Sequence, residues 1–355
     1  MGERIAVLGA GGTGHAMAAD LTLAGFEINL YEEPRFKENI EVILKRGGIE
    51  KKGAARQGFA KIHRVTTEIA EALKDVKLIL VAVLASRHEK IAELCAPYLK
   101  DGQTIVISAG NAGSLVFAKK LKEMNVKSQV TIAETEGNLY PCRLTGPAEV
   151  VVALPYKAKY LAAFPAKDTA KVINALKGIY DCLPATNVLE TALNSPNVVT
   201  HLAASILNTG AVEQSGGEYY LYRQGMTPSI FRCIEAVHEE KSALFKVLGW
   251  SDRYEAGFLE KVARQTEFPE LEIFRGLIGP TSMQHRYITE DAPTAQALVL
   301  SLAEMVNVPT PVTRALVTLA STINRTDYLK QGRTVKRLGL SGLSVDELNR
   351  FLAEG

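Results

Sequence analysis

The chain has 355 residues, of which 47% are hydrophobic and 23% charged, and its formal net charge is +2 at pH 7. This length predicts two domains, and the small net charge gives no electrostatic case for nucleic acid or a membrane surface as the main partner. The longest uninterrupted apolar run, Leu78–Ala85, is far shorter than the ~20 residues that a membrane-spanning helix needs.

A glycine-rich turn follows the first predicted strand, Arg4–Leu8, and precedes the helix-forming stretch His15–Leu23. The turn contains Gly9, Gly11, Gly12 and Gly14. In the pattern Gly-x-Gly-x-x-Gly the first glycine permits a tight turn, the second lets a pyrophosphate approach, and the third lets the helix pack on the strand. The N–H groups at the helix start then face the phosphates. The pattern predicts a dinucleotide site, and a ligand-free helix-capping turn is the alternative.

An acidic residue stands where such a site requires one. The second predicted strand, Glu27–Tyr31, is followed by Glu32, about 20 residues after the glycine turn, where a carboxylate binds the ribose of NAD. Glu32 would repel the 2′-phosphate of NADP. The sequence therefore favours NAD over NADP, although Arg35 lies close enough in the chain to leave NADP as the alternative.

Strands and helices alternate through the first half of the chain. Further strand-like runs lie at Leu78–Val83, Thr104–Ser108 and Val130–Ala133, with helical patterns between most of them. This alternation predicts an α/β Rossmann domain with a mostly parallel sheet. Glu149–Leu154 and Lys159–Phe164 have no long helix between them, which predicts antiparallel strands that extend the edge of a mixed sheet.

From about residue 186 strand signals largely stop. Helical spacing or capping is found at Leu189–Leu207, Ser229–Leu248, Arg253–Arg264, Thr294–Val306, Pro311–Ile323 and Val345–Ala353. The sequence thus predicts a dinucleotide-binding domain over residues 1–185 and an all-helical domain over residues 186–355. The helical domain has enough apolar faces for a homodimer, and a monomer is the alternative. Because ligands prefer clefts between domains, we expect the active site there.

The first candidate stretch opens the helical domain. Asn194, Asn197 and His201 are spaced by three and four residues, so they share one helix face if the helix continues past Pro196. Two amides and an imidazole on one face suit substrate recognition and acid–base chemistry. A capping asparagine and a buried structural histidine are the alternative.

A second candidate stretch covers residues 284–291. Arg286 can grip a carboxylate through two hydrogen bonds, and Glu290 or Asp291 can orient a histidine, although the same residues would also suit an exposed charged loop. A third stretch, residues 134–143, follows a predicted strand and ends with Cys142 and Arg143. It suits either a wall of the substrate cleft or a structural turn.

The cysteines give no sign of a metal or of secretion. Cys95, Cys142, Cys182 and Cys233 lie far apart, and no His/Cys/Asp cluster has metal-ligand spacing. Reduced thiols in a cytoplasmic protein without bound metal are the simplest interpretation. A strand begins within the first residues, which predicts no secretory signal peptide.

With these stretches in view, the chain resembles the NAD-dependent opine dehydrogenase family, which includes octopine and nopaline dehydrogenases. The resemblance covers nearly the whole chain. Its most specific parts are Asn194–His201, Gly225–Ser229, Gly279–Asp291, Val308–Pro311, Gly332–Thr334 and Leu338–Leu343. This ordered set is far more selective than a glycine turn, which recurs in many folds.

The resemblance implies that the protein joins the amino group of an amino acid to a 2-oxo acid, typically pyruvate, with NADH as cofactor. It implies that His201 is the catalytic histidine, Asp291 its orienting aspartate and Arg286 the ligand of the oxo acid's carboxylate. It also implies that Cys142 lies near the amino-acid pocket. The competing interpretations are a single-substrate dehydrogenase, such as a ketopantoate reductase or a 2-hydroxyacid or sugar-phosphate dehydrogenase, and a dinucleotide-sensing protein without catalysis.

Overall fold

The computed structural model describes residues 3–154, 158–253, 267 and 272–355. The chain divides into two compact units, one comprising Met1–Ala192 with Leu352–Gly355 and the other Leu193–Phe351. The first unit is an α/β fold and the second is helical, as the sequence predicts. The chain end belongs to the first unit, where Lys167 Nζ donates a hydrogen bond to the carbonyl oxygen of Glu354 at 2.7 Å.

The strands of the first unit are β1 (Arg4–Leu8), β2 (Glu27–Tyr31), β3 (Ile49–Gly53), β4 (Gly58–Ala60), β5 (Arg64–Thr66), β6 (Leu78–Val81), β7 (Thr104–Ile107), β8 (Thr131–Thr135), β9 (Cys142–Gly146), β10 (Glu149–Val152), β11 (Lys159–Phe164) and β12 (Cys182–Pro184). Its helices are α1 (Gly12–Leu23), α2 (Glu38–Arg46), α3 (Ile69–Ala72), α4 (His88–Cys95), α5 (Gly113–Glu123), α6 (Thr169–Ala175) and α7 (Val188–Leu193). Short 3-10 turns lie at Pro34–Phe36, Ala85–Arg87, Ala96–Tyr98 and Ala166–Asp168.

Eight strands form the main sheet in the order β12-β11-β8-β7-β6-β1-β2-β5. The six strands from β8 to β5 are parallel, and β11 pairs antiparallel with β8. The chain runs outward from β1 in both directions, so the strand order reverses between β1 and β6. Ligands bind at the carboxyl edge of such a switch point, which is where the glycine turn follows β1.

The burial pattern of β1 shows how this sheet is held. Ile5 and Val7 join one hydrophobic cluster, whereas Ala6 and Leu8 join another. Successive side chains of a strand point to opposite faces, so the two clusters cover the two faces of the sheet. The central strands are therefore buried on both sides, as expected for parallel strands flanked by helices.

One strand prediction was wrong. Residues Glu149–Val152 do not extend the main sheet; as β10 they join a separate four-stranded sheet in the order β4-β3-β10-β9. β10 pairs antiparallel with β9 and parallel with β3, and its Val150 and Val152 share a hydrophobic cluster with Met17 of α1. The partner strand β3 lies about a hundred residues earlier, so local pattern could not identify it. Lys159–Phe164 does join the main sheet, as β11.

The second unit is helical. Its helices are α8 (Asn197–Ile206), α9 (Thr209–Gln214), α10 (Pro228–Leu248), α11 (Glu272–Arg275), α12 (Arg286–Thr289), α13 (Ala297–Met305), α14 (Pro311–Ile323), α15 (Tyr328–Gln331), α16 (Val335–Leu338) and most of α17 (Val345–Glu354), whose residues from Leu352 are grouped with the first unit. Its π-helical turns lie at Leu221–Gly225 and Ala292–Gln296. Apart from Arg253, the predicted helix Arg253–Arg264 lies outside the described residues. Within the described ranges no helix combines the length and apolarity needed to cross a membrane.

Candidate active site

The glycine turn owes its shape to two of its glycines. Gly9 has φ +105°, in the region that favours glycine, and a Cβ there would lie 2.6 Å from the carbonyl oxygen of Ala82. A Cβ on Gly14 would lie 1.8 Å from the carbonyl oxygen of Gly9, so α1 packs against the turn more closely than any other residue would allow. The structure itself therefore needs glycine at both positions.

Gly11 and Gly12 are different, because the protein's own packing does not require them. A Cβ on Gly11 would meet nothing within 4 Å, and one on Gly12 would make only ordinary contacts with Cys142 and Leu144. No side chain caps the start of α1, which leaves its first N–H groups available. Open space beside unused N–H donors at a helix start is the arrangement that accepts a pyrophosphate.

Glu32 directly follows β2, is buried, and connects the end of that strand to the glycine turn through hydrogen bonds. Its Oε2 accepts hydrogen bonds from the Ala10 amide at 2.9 Å and from Asn39 Nδ2 at 3.1 Å. Its Oε1 accepts one from the Glu33 amide at 2.9 Å. An ionised carboxylate has about four acceptor positions, so Glu32 can still accept a bond from a ribose hydroxyl.

Cys142 is buried on β9, beside the glycine turn. Its Sγ would lie 3.7 Å from a Cβ on Gly12. Nearby, Asn138 Nδ2 donates to Thr13 Oγ1 at 2.8 Å, which ties the loop before β9 to the start of α1. The stretch that begins at Glu134 thus forms part of the surroundings of the turn. Glu134 itself is structural, because its carboxylate accepts the Ala112 and Ser114 amides.

In the second unit, α8 and the segment after α12 bring His201 and Asp291 together. His201 Nδ1 lies 2.7 Å from Asp291 Oδ2, and both residues are about 4% exposed. Burial raises the pKa of Asp291 to about 7, while the charge of Arg286 lowers it. A carboxylate on Nδ1 fixes the imidazole and leaves Nε2 as the atom for proton exchange with a substrate.

Tyr287 packs flat against this histidine. The rings of His201 and Tyr287 are stacked, with centroids 3.6 Å apart and planes 21° apart. His285 in turn contacts the Tyr287 ring at 4.5 Å, edge to face, and its side chain accepts a hydrogen bond from the Tyr287 amide at the start of α12. Sequence reasoning missed Tyr287. Its place between Arg286 and Asp291 was the one available signal.

Arg286 lies on the same short helix as Tyr287. Its guanidinium carbon is 5.4 Å from the Tyr287 ring centroid, and its Nη1 is 3.5 Å from Glu290 Oε2. The side chain is 41% exposed, so a carboxylate in solution can reach it. Of the two neighbouring carboxylates, Asp291 pairs with His201, whereas Glu290 makes a longer contact with Arg286. The structure brings together His201, Asp291 and Arg286.

The two asparagines do not share a helix. The predicted helix Leu189–Leu207 breaks before Pro196, because proline disfavours helical backbone in the residue before it. Asn194 lies in this break, and its side chain bonds to the Ser251 carbonyl oxygen at 2.9 Å and to the Arg253 amide at 3.0 Å. Asn197 begins α8, is half-buried, and shares a face with His201 four residues later.

A buried amide joins the two segments that carry the pair. Gln296, in the π-helical turn after Asp291, donates through Nε2 to the carbonyl oxygen of Val198 on α8. Gly332 packs against this turn, since a Cβ there would lie 2.9 Å from the carbonyl oxygen of Pro293. The motif Gly332–Thr334 therefore supports the segment of Asp291. In the described part of the chain, no group of three or more His, Cys, Asp or Glu side chains is placed to hold a metal ion.

Two protein families match the chain in sequence. The N-terminal domain of NAD-dependent glycerol-3-phosphate dehydrogenase matches residues 4–151. The alpha-helical domain of NAD/NADP octopine/nopaline dehydrogenase matches residues 184–324. An opine dehydrogenase from Arthrobacter sp. (strain 1C) is 35% identical over 350 residues, which cover 96% of each chain.

Solved structures show the same fold. Octopine dehydrogenase, solved with NADH and pyruvate, has a TM-score of 0.70 at 17% identity over 95% of each chain. Yersinopine dehydrogenase with bound NADP+ has a TM-score of 0.64 at 16% identity, over 100% of this chain and 98% of that one. Fold and site define an NAD-dependent oxidoreductase with a Rossmann unit and a helical unit. The chain belongs to the opine dehydrogenase family, whose members act on CH–NH groups.

Proposed function

We propose that this enzyme uses NADH to join the amino group of an amino acid to a 2-oxo acid such as pyruvate, and catalyses the reverse oxidation. The observation that carries the proposal is the buried pair of His201 and Asp291 with the exposed Arg286 beside it. The pair supplies a proton donor and acceptor, and the arginine supplies a carboxylate ligand. Related octopine dehydrogenase structures contain NADH with pyruvate, L-arginine or agmatine.

The glycine turn is the proposed cofactor site. Gly9 and Gly14 give it its shape, and the space beside Gly11 and Gly12 admits the pyrophosphate. Glu32 accepts a hydrogen bond from the adenosine ribose through its remaining acceptor position. When bound, NADH supplies the hydride that reduces the imine formed by the two substrates.

Arg286 binds the carboxylate of the oxo acid. A guanidinium matches a carboxylate with two parallel hydrogen bonds, which orients the keto carbon as well as holding the molecule. Its loose pairing with Glu290, at 3.5 Å, leaves most of its donors for a substrate. Asn197, on the face of His201, contributes a polar contact to the substrate. For Cys142, beside Gly12 of the glycine turn, we keep contact with the amino acid as a proposal.

His201 moves the protons. Condensation of an amine with a ketone expels water, so the departing hydroxyl must receive a proton, which His201 donates through Nε2. In the oxidative direction the same atom takes a proton from the attacking water. Asp291 holds the imidazole by Nδ1 and stabilises its protonated form. Tyr287 stacks on the His201 imidazole ring and limits its rotation.

For Asn194 we propose a different role from the one that the sequence predicts. Both ends of its amide are bonded to the main chain at residues 251 and 253. We assign it to positioning that segment rather than to substrate contact.

We also propose that the enzyme works in the cytoplasm as a homodimer. The described cysteines form no disulfide, which fits a reducing compartment. Exposed apolar side chains on the helical unit, including Val247 and Leu319, would be available to a second copy. Size-exclusion chromatography with light scattering distinguishes a dimer from a monomer.

The test of the reaction is NADH oxidation across a matrix of oxo acids and amino acids. We expect oxidation only when both substrates are present, with a secondary amine dicarboxylate as the product in mass spectrometry. Oxidation by an oxo acid alone would indicate a single-substrate dehydrogenase instead. NADH binding without turnover across the whole matrix would indicate a dinucleotide-sensing protein.

A further inference from the structure

A two-point ion pair lies at the end of β2, close in the fold to the glycine turn. Arg87 donates from Nε to Glu33 Oε1 at 2.9 Å and from Nη2 to Oε2 at 2.5 Å. The Glu33 side chain is 6% exposed and that of Arg87 is 23% exposed. The pair joins two loops that sequence reasoning did not connect.

The sheet order locates this pair. Glu33 follows β2, and Arg87 ends the short turn Ala85–Arg87 that follows β6. β1 lies between β2 and β6 in the sheet, and all three strands are parallel. Their carboxyl ends therefore meet at one edge, the edge where the glycine turn follows β1. An adenosine ribose held by the residue after β2 would lie at this edge.

Four charged residues at this edge bear on a 2′-phosphate: Glu32, Glu33, Arg35 and Arg87. Glu32 is held by three N–H donors. Arg35 is exposed, with its guanidinium 4.3 Å from the ring centroid of Phe36. Arg87 has the planar fork that suits phosphate, but Glu33 occupies two of its donors, and the Glu33 hydrogen bond raises the pKa of Arg87.

We propose that Glu33 is a determinant of cofactor choice, because it withholds the Arg87 guanidinium from the 2′-phosphate of NADP. With Glu33 present, the carboxylates of Glu32 and Glu33 lie at this edge together with Arg35 and the already paired Arg87, an arrangement that disfavours an added phosphate dianion. Without the Glu33 charge, Arg87 becomes a two-point phosphate ligand. The inference rests on the proposed location of the adenosine ribose, and it makes Arg87 a latent NADP ligand.

The test compares NADPH with NADH in Glu33→Gln. We expect the ratio of kcat/KM for NADPH to that for NADH to rise about tenfold or more, as expected for freeing one charge-assisted contact to phosphate. The double variant Glu33→Gln with Arg87→Gln should lose this gain. Arg87→Gln alone should lower the ratio below that of the unchanged enzyme, because it leaves an unpaired carboxylate near the phosphate.

Binding provides a readout that does not depend on turnover. Dissociation constants for NADH and NADPH, from quenching of protein fluorescence, should shift in the same directions. Glu41→Gln is the matched control, since it removes one acidic charge from an exposed ion pair with Lys37 and should leave the ratio unchanged. Thermal unfolding measurements identify a variant that does not fold. If Glu33→Gln does not fold, the comparison of Arg87→Gln with the unchanged enzyme tests the proposal.

Some results would overturn the inference. A folded Glu33→Gln enzyme with an unchanged ratio would do so, and so would a gain that persists when Arg87 is also replaced. Arg87→Gln with improved use of NADPH would contradict it as well. Because the reaction is measured with NADH in every variant, loss of the two-substrate requirement would instead count against the proposed function.

Discussion

The glycine turn and the His201–Asp291 pair are built in opposite ways. The turn is made of main chain over six consecutive residues, and glycines give it both its shape and its open space. The pair is made of two side chains ninety residues apart, held by α8, α12 and a buried amide. A substitution in the main-chain turn is therefore expected to weaken cofactor binding or folding. A substitution in the side-chain pair is expected to reduce turnover.

The largest effect is expected at the pair. His201→Gln should reduce kcat by ~10²–10⁴, the contribution of a positioned acid–base group, while NADH binding is unchanged. Steady-state kinetics and fluorescence titration with NADH measure the two quantities. His63→Gln is the control, because the His63 side chain is 37% exposed and belongs to the other compact unit of the chain. Normal turnover in His201→Gln would remove this residue from the mechanism.

The glycines offer a contrast within one turn. Gly14→Ala should lower stability by about 3 kcal/mol or more, because the added methyl group overlaps the carbonyl oxygen of Gly9. Gly11→Ala should keep its melting temperature, since nothing lies within 4 Å of its Cβ. Its NADH dissociation constant should nevertheless rise about tenfold through one weakened charge-assisted contact. Equal NADH affinity in Gly11→Ala would place the pyrophosphate elsewhere.

Arg286 is expected to act through one substrate. Arg286→Ala should raise KM for the oxo acid about 10- to 100-fold, because it removes a charge-assisted contact of about 1.5–3 kcal/mol. The KM for the amino acid should change far less. Initial rates with each substrate varied in turn separate the constants, and an effect confined to the amino acid would reverse the assignment of the two substrates.

The smallest effect is the pH dependence. Burial raises the pKa of Asp291 to about 7, so the histidine–aspartate pair changes protonation near neutrality. Oxidation needs the pair to accept a proton, so its rate should rise up to about tenfold per pH unit below pH 7 and level off above it. Reduction needs the pair to donate a proton and should decline on the alkaline side. The same slope in both directions would contradict this role.

Much of the fold can be predicted from local patterns in the sequence. The alternation of short apolar runs and helical stretches predicts the parallel sheet, and proline and spacing predict the later helices. The sheet to which β10 belongs could not be predicted in this way. β10 pairs with β3, with Glu149 opposite Glu50, and only the folded chain brings these two distant strands together. The partners of Asn194 could not be predicted either. The helix breaks before Pro196, and the Asn194 amide bonds to the main chain at residues 251 and 253.

The glycine turn could be recognised in the printed sequence because its constraints are local. Positive φ, a close helix start and missing Cβ atoms act within six residues, and Glu32 follows on the next strand. The stack of Tyr287 on His201, the bond of Gln296 to α8 and the pairing of Glu33 with Arg87 could not be recognised in that way. Each joins side chains from distant segments, and only the packing of the helices and strands determines which of them meet.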